Sequence, residues 1–124
     1  MRPLPTAEEI VSLFGKHGLE VNPDVFLDEG LMGIPPCGCA VGVLLIDAAG
    51  GMEQGLKIRR ESDSSAISLL AEKTNWPRQF VDGLSDGFGA GEIPSESCSA
   101  NWKRGYEISQ EAFRLLREKG LCST

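Results

Sequence analysis

The chain has 124 residues, enough for one domain with a single core. It is 41% hydrophobic and 24% charged with a formal net charge of −6, a globular rather than disordered composition whose acidic surface argues against nucleic acid and anionic membranes as partners. The longest apolar run, Cys39 to Ile46, falls far short of the roughly 20 residues a membrane span requires, and Glu8 and Glu9 stand where a secretory signal would be apolar, so the expected compartment is cytoplasmic.

The first helix is expected to start at Thr6. "TAEE" puts Thr6 at the N-cap and Glu9 three residues on, the spacing of a capping box in which each side chain bonds the other's free amide. Ile10, Leu13, Phe14 and His17 follow on one face, and Gly18 suits the stop. Asn22 and Pro23 form a second start signal and predict a short helix over Pro23 to Asp28. Gly30, Gly33, Pro35 and Pro36 then break the chain.

The run from Cys37 to Ala49 reads as a helix opening at Pro36 and closing at Gly50 and Gly51. It would be apolar almost all round, and therefore central. The alternative is α+β, with one β-hairpin at about 41–58 in which "DAAGG" turns "VGVLLI" back along "MEQGLKI". The helix is preferred because every later segment is helical and an isolated hairpin is marginally stable.

"SDSSAISLLAEKTN" predicts a helix capped by Ser62 or Asp63, with Ile67, Leu70, Ala71 and Thr74 inward. Pro77 opens the next, with Phe80, Val81 and Leu84 inward, and Gly87, Gly89 and Gly91 lead into a loop reaching Ser97. The last and longest helix is expected near Ser99 to Lys119, with Trp102, Gly105, Tyr106, Ala112, Phe113 and Leu116 as its stripe and Gly120 at the left-handed C-terminal position. Gly42, Gly83 and Gly105 fall inside predicted helices, where glycine costs about 1 kcal/mol relative to alanine, so at least one is expected at a close helix contact. The fold class is thus all-α: one compact domain over residues 1–124, a bundle of five or six helices. A sheet of three or more strands is not expected.

Chemistry centres on the C-x-C pair Cys37 and Cys39. In a reducing compartment, cysteines are read as free thiols or metal ligands before disulfides. Cys98 and Cys122 flank the last helix, whose twenty or so residues separate them by roughly 30 Å, too far to share one ion or a disulfide. A metal or redox site would therefore draw on Cys37 and Cys39 with Cys98 or Cys122, and on His17, the sole histidine. Zinc or another soft metal is the cofactor of that reading; otherwise no cofactor is expected. In the first turn of a helix Cys37 would be favoured as a thiolate. The two thiols would lie about 200° apart around such a helix and converge only if the chain before Cys39 is irregular. Plain packing competes, since reduced cysteine is among the most buried residue types.

The sequence lacks a nucleophile elbow, a Walker loop and an H-E-x-x-H motif. "GFGAG" at 87–91 follows a helical segment and reads as a turn, and the loop beginning at Asp82 lacks the calcium-binding oxygens at its third and twelfth positions. Trp76, Phe80, Trp102 and Tyr106 are a candidate ligand pocket, with an ordinary helix-crossing core as the competing reading. The basic run Lys57 to Arg60 is offset by Glu61 and Asp63. The expected function is that of a non-catalytic helical module acting through a protein partner or self-association, not an enzyme. The alternatives are a thiol protein using Cys37 and Cys39, and a small-molecule binder with an aromatic pocket.

Overall fold

The apolar run after Cys39 is helical, and four of the other helices pack on it. In the computed structural model, which describes residues 2–30, 32–89 and 99–121, the helices are α1 Ala7–His17, α2 Ala40–Ala49, α3 Met52–Glu61, α4 Ala66–Thr74, α5 Arg78–Gly87 and α6 Ala100–Glu118. Every residue of α2 from Ala40 to Ile46 is buried, as a helix with no polar face requires, and it packs on α1, α3, α4 and α5. Gly50 ends α2 in the left-handed conformation (φ 104°) and α3 begins at Met52. The 41–58 segment is therefore two helices, not a hairpin, and the fold is an all-α bundle. No helix among the described residues is long and apolar enough to cross a membrane.

α5 and α6 form a closely packed pair. A Cβ on Gly83 would stand 2.1 Å from the Trp102 carbonyl oxygen, one on Gly87 would stand 2.3 Å from that of Tyr106, and one on Gly105 would stand 2.1 Å from that of Phe80. Any side chain at these positions would push the backbones apart. The pair is also tied by the buried Ser109 hydroxyl, which donates to the Leu84 carbonyl at 2.6 Å. Gly42 meets a loop instead of a helix: its Cβ would fall 1.8 Å from the Phe26 carbonyl oxygen. Phe88 links this pair to α1, stacking on Phe14 at 5.9 Å and meeting Phe113 edge-on at 5.0 Å.

Residues 19–38 depart from expectation. Pro23 to Asp28 is not a helix: the segment holds three two-residue strands, β1 Glu20–Val21, β2 Leu27–Asp28 and β3 Cys37–Gly38. They form one three-stranded sheet, which was not expected, in the order β1-β3-β2 with β3 parallel to β1 and antiparallel to β2; at two residues per strand it leaves the fold class all-α. The Asn22 side-chain oxygen takes the Asp24 amide at 2.9 Å, closing a local turn that competes with helix initiation. The same small sheet delays α2. Because Cys37 and Gly38 are held as a strand, the helix starts at Ala40 and its N-cap is Cys39, whose amide donates to the Phe26 carbonyl at 3.2 Å.

Other helix ends follow local rules with two corrections. Ser65, not Ser62 or Asp63, caps α4 by accepting from the Ser68 amide, while Ser62 accepts from Ser64. Only half of the expected capping box forms: Thr6 accepts from the Glu9 amide at 3.1 Å, and the Glu9 carboxylate makes no return bond. Ser99 caps α6, its hydroxyl accepting from the Trp102 amide at 3.1 Å. The loop expected from Gly91 to Ser97 lies outside the described residues.

Candidate functional site

The C-x-C pair is split by its surroundings. Cys39, at the N-cap of α2, is 3% exposed. Burial pushes its thiol pKa up, against the pull of the Gly42 and Val41 amides, so it is a poor nucleophile near neutral pH. Cys37 is half-buried in β3 rather than in the first turn of a helix, so it does not receive the helix-end stabilisation expected for it. The Asn22 side-chain amide Nδ2 donates to its sulfur at 3.7 Å. Both are free thiols. His17 does not join them: its Nε2 lies 3.1 Å from Asp47 Oδ1. Among the described residues no three His, Cys, Asp or Glu side chains are grouped to hold a metal ion; Cys98 and Cys122 lie outside those residues.

A polar cluster that sequence reasoning missed surrounds Asp47. This is the one charged residue of α2 and it lies in the last turn, where the macrodipole disfavours an anion. Two cationic side chains and the His17 ring offset that. Arg2 Nη2 reaches Oδ2 at 3.1 Å, while Lys16 Nζ at 3.4 Å and His17 Nε2 at 3.1 Å reach Oδ1. Burial raises the Asp47 pKa, but the His17 hydrogen bond and the charges of Lys16 and Arg2 outweigh it and hold the carboxyl below its ordinary value. The cluster joins the N-terminal segment, α1 and α2.

The same N-terminal segment is clipped to the α4–α5 turn. The Arg2 amide donates to the Thr74 carbonyl at 3.1 Å, and the Trp76 indole donates to the Arg2 carbonyl at 2.8 Å. The four aromatics do not converge on one cavity. Trp76 packs edge-on against Phe80 at 5.7 Å, whereas Trp102 tilts over Tyr106 at 4.8 Å and its indole donates to Asp86. Phe80 and Tyr106 are buried between helices. Trp76 borders a cleft of about 460 Å³ between the N-terminal segment, α1 and α2. A larger trough of about 800 Å³ runs along the outer face of α6, where Arg114 is paired with Glu111 and Glu118.

The remaining feature is a loop between β2 and β3. The Asp28 carboxylate accepts the Gly30 amide at 2.8 Å, and Gly30 and Gly33 adopt positive φ angles of 77° and 80°. A Cβ on Gly30 would fall 2.2 Å from the Ile34 carbonyl oxygen, so the loop folds tightly on its own backbone. Arg60 of α3 approaches Glu29 at 3.6 Å. Met32 is 99% exposed and Ile34 is 64% exposed.

Comparison with protein-family models, curated proteins and solved structures returns no significant match.

Proposed function

We propose that the chain is a non-catalytic helical module that works by binding another protein, a different chain or a second copy of itself, through the loop between β2 and β3. The observation that carries this reading is the pair of large apolar side chains, Met32 and Ile34, held in solvent on that loop. Burying a side chain of this kind contributes roughly 1.5–3 kcal/mol, and the folded monomer leaves that contribution unused at both positions. The Asp28 turn and the tight Gly30 backbone already shape the loop, so less conformational entropy is lost when it docks. A net charge of −6 favours a protein over a nucleic acid as partner. The non-catalytic character is supported by the burial of Cys39 and by the commitment of the sole histidine to Asp47. A reducing, cytosolic setting suits Cys37 and Cys39 as free thiols.

The test is the double variant Met32→Ser/Ile34→Ser, with fold integrity checked by circular dichroism. Sedimentation velocity over a range of concentrations reads self-association, and affinity retention from native extract reads other partners. The variant should keep its melting temperature and lose the association. Association that is the same in both proteins, or absent from the wild type in both assays, refutes the proposal.

A further inference from the structure

The cleft beside Trp76 has the size of a small-molecule site, and four separate parts of the chain build it. The N-terminal segment contributes Pro3 and Pro5, α1 contributes Leu13, and α2 contributes Leu44, with Trp76 closing one side. These parts are fixed relative to one another. The Trp76 indole and the Thr74 carbonyl hold Arg2, and Arg2 holds Asp47 at the end of α2. The cleft is therefore preformed and does not depend on induced closure.

Its charges are unevenly committed. Arg2 and Asp47 are spent on each other. Glu8 and Glu9, also in the lining, are exposed, and their carboxylates make no ion pair or hydrogen bond among the described residues. The Glu9 carboxylate in particular is not used by the half-formed capping box, which engages only the Glu9 backbone amide. An occupant therefore meets apolar walls and two carboxylates unpaired among the described residues.

We infer that the cleft between the N-terminal segment, α1 and α2 binds a small organic cation, an ammonium or guanidinium group carried on an apolar body. The body lies against Pro5, Leu13, Leu44 and Trp76, and the cationic group is held by charge-assisted bonds to Glu8 and Glu9. This binding is separate from the protein-docking loop, which lies between β2 and β3.

Heteronuclear NMR titration of the full chain tests it with three probes that share one body: 2-phenylethylammonium, neutral 2-phenylethanol and anionic 3-phenylpropionate. The ammonium should give saturable shifts at the amides of Leu13 and Leu44 and at the Trp76 indole. It should bind about tenfold more tightly than the alcohol, the discrimination a charge-assisted hydrogen bond supplies; the carboxylate should leave those signals unmoved. Glu8→Gln/Glu9→Gln should abolish the preference while the thermal melt shows a folded protein. Glu8→Lys/Glu9→Lys should reverse it in favour of 3-phenylpropionate. Equal shifts from all three probes, shifts mapping elsewhere, no saturable shift in the millimolar range, or a preference surviving the Gln pair would each overturn the inference.

Discussion

Two glycines in helix interiors should respond to the same substitution with opposite signs. Gly105 of α6 faces α5, and a Cβ there would stand 2.1 Å from the Phe80 carbonyl oxygen and 2.9 Å from the Leu84 amide. Ordinary contact begins near 3.4 Å, so Gly105→Ala forces the two backbones apart locally by about 1.3 Å. Gaps of 0.5–1 Å already forfeit a quarter to a half of a dispersion contact, and overpacking of this kind costs roughly 1–3 kcal/mol. The gain of about 1 kcal/mol in helix propensity offsets only part of that in a pair this close. Gly15 of α1 has nothing within 4 Å of its would-be Cβ, so Gly15→Ala collects the propensity gain with no packing cost. Urea denaturation followed by circular dichroism should place Gly105→Ala below wild type by about 1–2 kcal/mol and Gly15→Ala above it by about 0.5–1 kcal/mol. At roughly 2–8 °C per kcal/mol for domains bracketing this size, the melting temperatures should separate clearly. A neutral or stabilising Gly105→Ala would refute the close-contact account of α5 and α6.

The Asp47 cluster predicts a pH dependence. The folded-state pKa of Asp47 is lowered, so its contribution is fully present above the unfolded aspartate value and is lost as pH falls through the folded one. Asp47→Asn should therefore be less stable than wild type at pH 7, by about 1 kcal/mol for partly exposed pairs. Chemical denaturation at a series of pH values should show the gap closing below pH 4, and a gap independent of pH would contradict the assignment. Under native reducing conditions, alkylation followed by peptide mass mapping should label Cys37 before Cys39, because Cys37 is half-buried whereas Cys39 is buried. Cys39→Ala should cost about 1 kcal/mol as a buried truncation, whereas Cys37→Ser should stay within about 0.5 kcal/mol; the reverse order in denaturation curves would mean that the two thiols have been assigned the wrong environments.

Legibility in the sequence followed the range of the interactions involved. α1, α5 and α6 were readable because their caps and stripes are local: Thr6 and Ser99 cap within three residues, and Phe80, Val81 and Leu84 lie one turn apart. The α4 cap was ambiguous because "SDSS" offers several equivalent oxygens, and which one wins depends on Ala66 being drawn into the core. Residues 19–38 were misread because a two-residue strand has no period to detect. Asn22, moreover, offers the same acceptor to a turn as to a helix start. That misreading carried over to Cys37, whose environment is set by β1 and β2 rather than by its neighbours in sequence. The Asp47 cluster joins residues 30 to 45 positions apart, beyond any spacing rule. One signal could have found it: a lone carboxylate in an otherwise apolar helix must have partners, and Lys16 and His17 end the preceding helix. The aromatics follow the helix-crossing core reading rather than the pocket, since residues close in the C-terminal half of the sequence need not share a cavity.

The clip between Arg2 and Trp76 joins positions 74 residues apart, and it sets which part of the molecule can open by itself. Its bonds involve the first turn of chain, the end of α4 and Asp47, and none of them reaches the α5–α6 interface. Release of the N-terminal segment would strip one wall from the cleft and free the indole of Trp76 while leaving the glycine-mediated helix pair in register. Opening at the N-terminal segment breaks these polar contacts and the packing of Leu4 and Pro5, whereas a deeper opening requires α2 to leave the core.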